Sequence, residues 1–374
     1  MTSPAALAGA LRDAGHLTDD WADTLAAVPR ETFIPDRVWV RGDDGYHPVD
    51  RATEPGRWRA LIYSDTALVT QVADPPGAPV ALTPTSSASM PRVVAAMLAE
   101  LDVQPGQRVL EIGTGTGYNA ALLCHRLGDE HVTSVEVDPE LADTARAALK
   151  RAGYAPTLHT GDGTQGAPEN APFDRIVVTC ALHTIPPALV QQLNPGGVIV
   201  TPWGTGLYNG VLLRLTVGGE GAASGPVVGD CAFMWNRGET PGRDVMALVR
   251  ADHQPATSRT TLDPRRVFGD EDAAFTAGVL VPGCRYSVGH SPDDGEFTLW
   301  LGDPNTSSWA SGDYVPGGGE FEVQQHGPRM LWDEIERAHG WWVQAGSPAR
   351  TRYGLTVTPG GQRVWLDTPD RTVP

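Results

Sequence analysis

The chain has 374 residues, of which 41% are hydrophobic, enough for one large domain or two smaller ones with a real core. Lys and Arg number 28 against 45 Asp and Glu, a net charge of −17. Such a surface repels phosphate backbones and anionic membranes, which argues against a nucleic-acid or membrane partner. The 43 glycines and 32 prolines follow no repeat and point to many loops. The four cysteines (Cys124, Cys180, Cys231, Cys284) have neither zinc-site nor redox-pair spacing and read as reduced thiols, with no metal site expected. The N-terminus lacks a basic start and a long apolar run, and no stretch is long enough to span a bilayer, so a cytoplasmic protein is expected.

In chain order, residues 5–28 read as helix, with Leu7, Leu11 and Ala14 on one stripe and Trp21, Leu25 and Val28 on another. "VPRETFIP" follows, closed by proline at both ends; 41–60 reads as a polar loop, "ALIYSDTALVTQV" (60–72) as strand and "DPPGAPVALTPTSS" as linker. Ser89 is a good N-cap for a helix with Pro91 in its first turn. Strands and helices then alternate: "RVLEIG", "NAALLCHRLG", "HVTSVEVD", "PELADTARAALKRAG", "TLHT", "FDRIVVTCA", "PPALVQQL" and "GGVIVTPW". This order predicts a parallel sheet flanked by helices, ending in an antiparallel pair, "GVLLRLTVGG" and "GPVVGDCAFMW". Beyond residue 240 the chain turns Trp-rich, with one helix, "RMLWDEIERAHGWW", and a closing hairpin, "RYGLTVTPGGQRVWLD". The division expected is a helical and loop cap (1–84), a Rossmann-like α/β domain (85–239) and an α+β accessory unit (240–374).

The turn after "RVLEIG" runs Gly113-Thr114-Gly115-Thr116-Gly117, with Tyr118 where a dinucleotide fingerprint would place its third glycine, and no Walker lysine. Preceded by Glu111, this pattern fits S-adenosylmethionine (SAM), a ligand without phosphate whose ammonium favours a carboxylate nearby. Glu136, followed by Val137, ends the second strand, where a carboxylate accepts hydrogen bonds from a free ribose diol. Asp162 between Gly161 and Gly163 could reach the adenine amino group, or could simply close an Asx turn. Thr179 ends the next strand. Glu111, Glu136, Asp162 and Thr179 should converge on one crevice at the carboxyl ends of the strands.

Residues 28–238 resemble the protein-L-isoaspartate O-methyltransferases in "VPRETFIP", "IYSD", Ser89-x-Pro91, "VLEIGTGTGYNAA", "SVEVDPELADTA", "GDGTQG", "FDRIVVTCA", "IPPALVQQLNPGGVIVTPWG" and "FMWNRG". The resemblance implies a class I SAM-dependent enzyme (EC 2.1.1) that esterifies a peptide or protein carboxylate. The chain departs from that pattern at Trp235 (usually Pro), at His183-Thr184 (usually Pro-Glu) and at Gly210 (usually Gln), in a serine-rich 85–89, and in its added tail. The long form resembles methyltransferases from maturation clusters of graspetides, ribosomally made and post-translationally modified peptides (RiPPs) crosslinked by ATP-grasp ligases. That implies methylation of an Asp in a modified precursor peptide, closure to an aspartimide and then isoaspartate, with the ligase as a pathway partner.

An Asp carboxylate, with pKa near ~4, is already anionic at neutral pH and needs no general base. It needs orientation, loss of water and donors that do not quench it. Ser89, Ser87 and Ser86 are the candidates, Ser89 being equally suited to cap its helix. His183 is a further candidate donor, Asp65 is expected to order the acceptor loop, and Tyr118 is expected to cover SAM. The alternatives are a repair enzyme acting on isoaspartate, a small-molecule methyltransferase and a non-catalytic SAM-binding module.

Overall fold

The computed structural model describes residues 3–75, 77–219, 221–239, 245–291 and 294–374. Two helices open the chain, α1 (Pro4–Asp13) and α2 (Asp19–Ala27). The single helix expected over 5–28 is broken at Gly15, whose φ of 76° no continuing helix can accommodate. Each half keeps its own apolar stripe, Leu7 and Leu11 in one, Trp21 and Leu25 in the other.

The presumed loop over 41–60 is ordered. It holds most of a hairpin, β1 (Arg37–Gly42) with β2 (Gly45–Asp50), and a helix, α3 (Pro55–Ile62). The strand expected over 60–72 is the end of α3, a turn and then β3 (Leu68–Val72); the linker ends in β4 (Pro84–Ala88). These four strands form a sheet in the order β2-β1-β3-β4. Its strands look polar because much of their surface stays partly exposed, so they lack the clean alternation that marks a strand in sequence.

The ends of this region meet at Arg30, a guanidinium only 1% exposed. Its NH1 donates to the Ile62 carbonyl (2.8 Å) and its NH2 to the carbonyls of Ser89 (2.8 Å), Thr66 (3.4 Å) and Ala88 (3.4 Å). The end of α3, the turn before β3 and the end of β4 are thereby tied to one point. Burial pulls the group down to about 10, and it stays charged at neutral pH.

The helix α4 (Pro91–Leu101) leads into the main sheet. Then come β5 (Val109–Ile112), α5 (Tyr118–Leu127), β6 (Val132–Glu136), α6 (Pro139–Ala152), β7 (Thr157–Thr160), β8 (Phe173–Val178), α7 (Pro187–Gln191) and β9 (Leu193–Gly204). β10 (Asn209–Val217) and β11 (Ala223–Asp230) return antiparallel, as the sequence suggested. The α6 helix shows how local chemistry sets an element. Asp138 accepts from the Glu140 and Leu141 amides, Pro139 starts the first turn, Ala142, Ala145, Ala148 and Leu149 are buried, and Gly153 at φ 86° ends it.

The accessory region contributes β12 (Ala256–Thr260), α8 (Arg265–Phe268), α9 (Glu271–Leu280), β13 (Arg285–His290), β14 (Phe297–Asp303), β15 (Ser308–Tyr314), β16 (Phe321–His326) and α10 (Leu331–Gln344). Its strands form an antiparallel sheet, β12-β16-β15-β14-β13. The closing hairpin, β17 (Tyr353–Thr358) with β18 (Gly361–Leu366), joins a different sheet. β17 pairs with β11, giving nine strands in the order β18-β17-β11-β10-β9-β8-β5-β6-β7. The sheets therefore do not follow a boundary at residue 240, which itself lies outside the described residues. The sequence reading also missed α9. That helix carries no single apolar stripe because it is buried on several sides: Phe275 packs in the core of the nine-stranded sheet and Ala277 in that of the five-stranded one.

Replacing Arg30 with Ala would leave the Ile62 and Ser89 carbonyls without their donor. The expected loss is about 3 kcal/mol or more of unfolding free energy, read from urea titrations. A loss below about 1 kcal/mol would show that the clamp is not structural.

Candidate active site

Strands β5, β6, β7, β8 and β9 are parallel, and the chain runs from β5 outward through β6 to β7, then returns to the other side of β5 as β8. The reversal opens a crevice at the carboxyl end of β5. A cleft lies there. It is lined by Gly113, Thr114, Gly115 and Tyr118 from the glycine turn, by Glu136 and Val137 after β6, and by Gly163 and Thr179. Ser86, Ser87 and Ser89 form one wall, and residues 233–237 form the other.

The glycine turn is held in shape from below. Gly113, Gly115 and Gly117 have φ of 91°, 53° and 86°. Thr179 Oγ1 donates to the Gly113 carbonyl at 2.6 Å, and a Cβ on Gly113 would lie 2.7 Å from that oxygen. Gly117 caps α5, and a Cβ there would press on Leu149 and Ala145. Nothing stands within 4 Å of a Cβ position on Gly115, so bare backbone faces the cleft. Glu136 accepts from the Gly115 amide (2.8 Å) and the Asp138 amide (3.1 Å) and is 5% exposed at the cleft. Beside it Val137, 47% exposed, offers an apolar edge.

These residues fit SAM. The carboxylate of Glu136 at the end of β6 has lone pairs for a ribose diol, and Tyr118 stands where a dinucleotide turn would place its third glycine. Arg237 is the one Lys, Arg or His among the described lining residues, and Asp138 holds it at 3.1 Å.

Other expected residues lie elsewhere. Glu111 is fully buried behind the turn, accepting from Asn119 Nδ2 (2.7 Å) and Ser134 Oγ (2.5 Å); Ser134 also bonds Thr114 at 2.6 Å. Its carboxylate acts through this network and not at the cleft surface. Gly161 and Asp162 stand outside the lining. Both Asp162 oxygens are engaged by Thr164, amide and hydroxyl, which is the Asx-turn use of the residue. His183 is also outside. Its ring stacks on the Trp235 ring at 3.7 Å, so the indole stands between it and the cleft. Tyr118 lines the cleft yet is 7% exposed and packs against Phe33, 5.8 Å between centroids, so it is a floor more than a cover.

The serines are resolved by their neighbours. The N-cap position of α4 is Met90, without a side-chain cap. Asp65 reaches in instead and accepts from the Arg92 amide at 2.9 Å. The Ser89 side chain is thus not needed as a cap. Ser86 and Ser87 sit on β4, paired with Gln71 and Val69 of β3. Sequence reasoning overlooked the tie across the cleft mouth: Thr85 Oγ1 to Gln71 Oε1 (2.8 Å), Gln71 Nε2 to Asp138 (3.2 Å), and Arg237 to both. No spacing links these residues, which come from four distant segments. Cys180 lines the cleft as well, but burial pushes its thiol up to about 12, so it is no nucleophile.

Burial also pushes Glu111 up to about 7, against hydrogen bonds from Ser134 and Asn119 that lower it. Below the ordinary carboxyl range both folded and unfolded chains hold this proton. As pH rises toward 7 the unfolded chain releases it first, so stability falls through this window by up to about 3 kcal/mol and then levels off. Unfolding titrations of wild type and Glu111→Gln between pH 4 and 8 read the difference. A difference independent of pH would mean that folding does not raise the proton affinity of Glu111.

The family model described as protein-L-isoaspartate(D-aspartate) O-methyltransferase matches residues 49–235. The protein-L-isoaspartate O-methyltransferase of Hyperthermus butylicus is 41% identical over 190 residues, 48% of this chain and 66% of that one, just under two thirds of its length. That of Methanopyrus kandleri is 40% identical over 223 residues, 57% of this chain and 84% of the relative. A solved structure named protein-L-isoaspartate O-methyltransferase aligns over 97% of this chain and 99% of its own, with a TM-score of 0.54 at 21% identity, a likeness of fold. The strand order and this likeness make the main sheet a class I methyltransferase fold. With half of the chain matched by the family model and most of the Methanopyrus relative covered, the chain belongs to the protein-L-isoaspartate O-methyltransferase family.

Proposed function

We propose that this chain is a SAM-dependent carboxyl O-methyltransferase acting on isoaspartyl residues of peptides or proteins. The observation that carries the reading is that Ser86, Ser87 and Ser89 share one cleft with the glycine turn, a cleft whose described lining holds no His or Lys. Bound SAM supplies a methyl group on a cationic sulfur. The acceptor carboxylate is anionic at neutral pH; one of its oxygens forms the new carbon–oxygen bond as the carbon–sulfur bond breaks, and no proton moves. Ser87 and Ser89 donate to the acceptor carboxylate and aim it, while Glu136 and the Gly115 backbone hold the nucleoside side. The apolar lining from Val94, Met97 and Phe233 excludes water from the anion.

A second reading places the acceptor on an ordinary Asp of a crosslinked ribosomal peptide. The next backbone nitrogen then attacks the ester, methanol leaves and an aspartimide forms. Trp235 stacked on His183 favours it, because both residues depart from the family pattern, one lining the cleft and the other directly behind it. The added C-terminal unit does not by itself distinguish the two readings, since a structure of the same name aligns along nearly the whole chain.

Mass spectrometry of the full chain with SAM and two peptides, a linear isoaspartyl peptide and a side-chain-crosslinked precursor peptide with an ordinary Asp, separates them. Methylation of the isoaspartyl peptide is expected. A precursor that gains a methyl and then loses methanol, with the isoaspartyl peptide untouched, would establish the second reading. In either case Ser89→Ala or Ser87→Ala should lower kcat/KM for the peptide about tenfold, the worth of a hydrogen bond to a charged group, without weakening SAM binding. Full activity in the double variant would remove the serines from the acceptor site.

A further inference from the structure

A second concavity, a groove of about 710 Å3, lies between the nine-stranded sheet and the C-terminal unit. It is bounded by the β9–β10 turn (Trp203, Thr205), the α9 end (Gly278, Val279), Arg285 and the β18 hairpin (Gln362, Arg363). It backs directly onto the cleft. His183 lines the groove, Trp235 lines the cleft, and their rings are stacked at 3.7 Å and 20°, so the wall between the two is one pair of rings.

The wall is built to stay in place. The His183 carbonyl accepts from Trp203 Nε1 (2.9 Å) and Gln362 Nε2 (2.7 Å), and Gln362 Oε1 accepts in turn from the Ile185 amide (3.0 Å). Glu239 accepts from the His183 amide (2.7 Å) and the Thr184 amide (3.2 Å). The loop after β8 is thus fixed to β18, which places the neighbouring Arg363 on the groove.

The charged side chains of this groove are opposite in sign to the molecule's net charge. In a chain of net charge −17, its described lining holds Arg285 and Arg363 and no Asp or Glu side chain. Arg363 is exposed and has no ion pair among the described residues, whereas Arg350, Arg352 and Arg371 nearby in the sequence are each bound to carboxylates. A cation spared in this way, in a groove sharing a wall with a carboxylate-methylating cleft, suits an anionic chain more than a neutral or basic one.

We propose that this groove binds an acidic segment of the peptide substrate flanking the methylated residue, with Arg363 reading its charge. The inference rests on the peptide-carboxylate reading above. It assigns to the C-terminal hairpin a specificity role that the cleft cannot fill, since the one cation of the described cleft lining is bound to Asp138.

Fluorescence anisotropy tests it without turnover. The full-length protein is titrated against a fluorescein-labelled hexapeptide with three glutamates and against its glutamine twin. The glutamate peptide should bind about tenfold tighter, Arg363→Glu should erase the difference, Arg363→Lys should restore most of it, and Ser89→Ala should leave it unchanged. Equal binding of the two peptides, or an Arg363→Glu variant that keeps the preference, overturns the proposal. With an acceptor peptide carrying the acidic flank, Arg363→Glu should raise KM and spare kcat. If no peptide is methylated at all, the catalytic reading fails, and the anisotropy still decides the groove.

Discussion

The buried guanidinium of Arg30 is the contact on which the acceptor side of this protein depends. A charge taken out of water is costly unless its donors are used, and here the partners are backbone carbonyls instead of a carboxylate. That choice has a structural effect. A carboxylate would pair with Arg30 at one place, whereas carbonyls from residues 62, 66, 88 and 89 bring the ends of α3 and β4 to a common centre. The serine wall is the continuation of that centre, so its position against the glycine turn is set by a residue nearly sixty positions earlier in the chain.

Across the cleft, positioning is done by backbone and short side chains. Thr179, Ser134 and Glu111 brace the glycine turn from beneath, and Glu136 holds it from the side. The turn therefore presents amides and open backbone beside the Glu136 carboxylate, an arrangement suited to a nucleoside with a free ribose diol. The tie from Thr85 through Gln71 and Asp138 to Arg237 joins the two ends of the lining and neutralises its one described cation. A carboxylate entering such a cleft meets hydroxyl donors, which orient it without forming the tight ion pair that would lower its nucleophilicity.

The C-terminal region is integrated with the fold at two points. The β17–β18 hairpin extends the main sheet through β11, and α9 lies between the two cores with Phe275 and Ala277 turned to different ones. Arg350 strengthens the junction by bridging Asp230 on β11 and Asp272 on α9. The groove and its shared wall with the cleft follow from this joining, since a tail that folded apart would have no reason to bring Arg363 beside His183.

By itself the sequence determined the parallel βα order, the glycine turn, and Glu136 and Thr179 at strand ends, because these follow from local periodicity and from the rule that such strands end at a shared crevice. It also marked the two residues, Trp235 and His183, that depart from the family pattern, without their stacking. Only the tertiary structure decided which carboxylates and hydroxyls face the cleft. Glu111 turned inward because a strand's alternation sends it behind the turn, Asp162 was taken by Thr164, and Ser89 was released from capping by Asp65, which lies 24 residues away in the chain. The β1–β2 hairpin and α9 were illegible for a related reason. One is paired but partly exposed and the other buried on more than one side, and neither state leaves the single apolar face by which a sequence announces its elements.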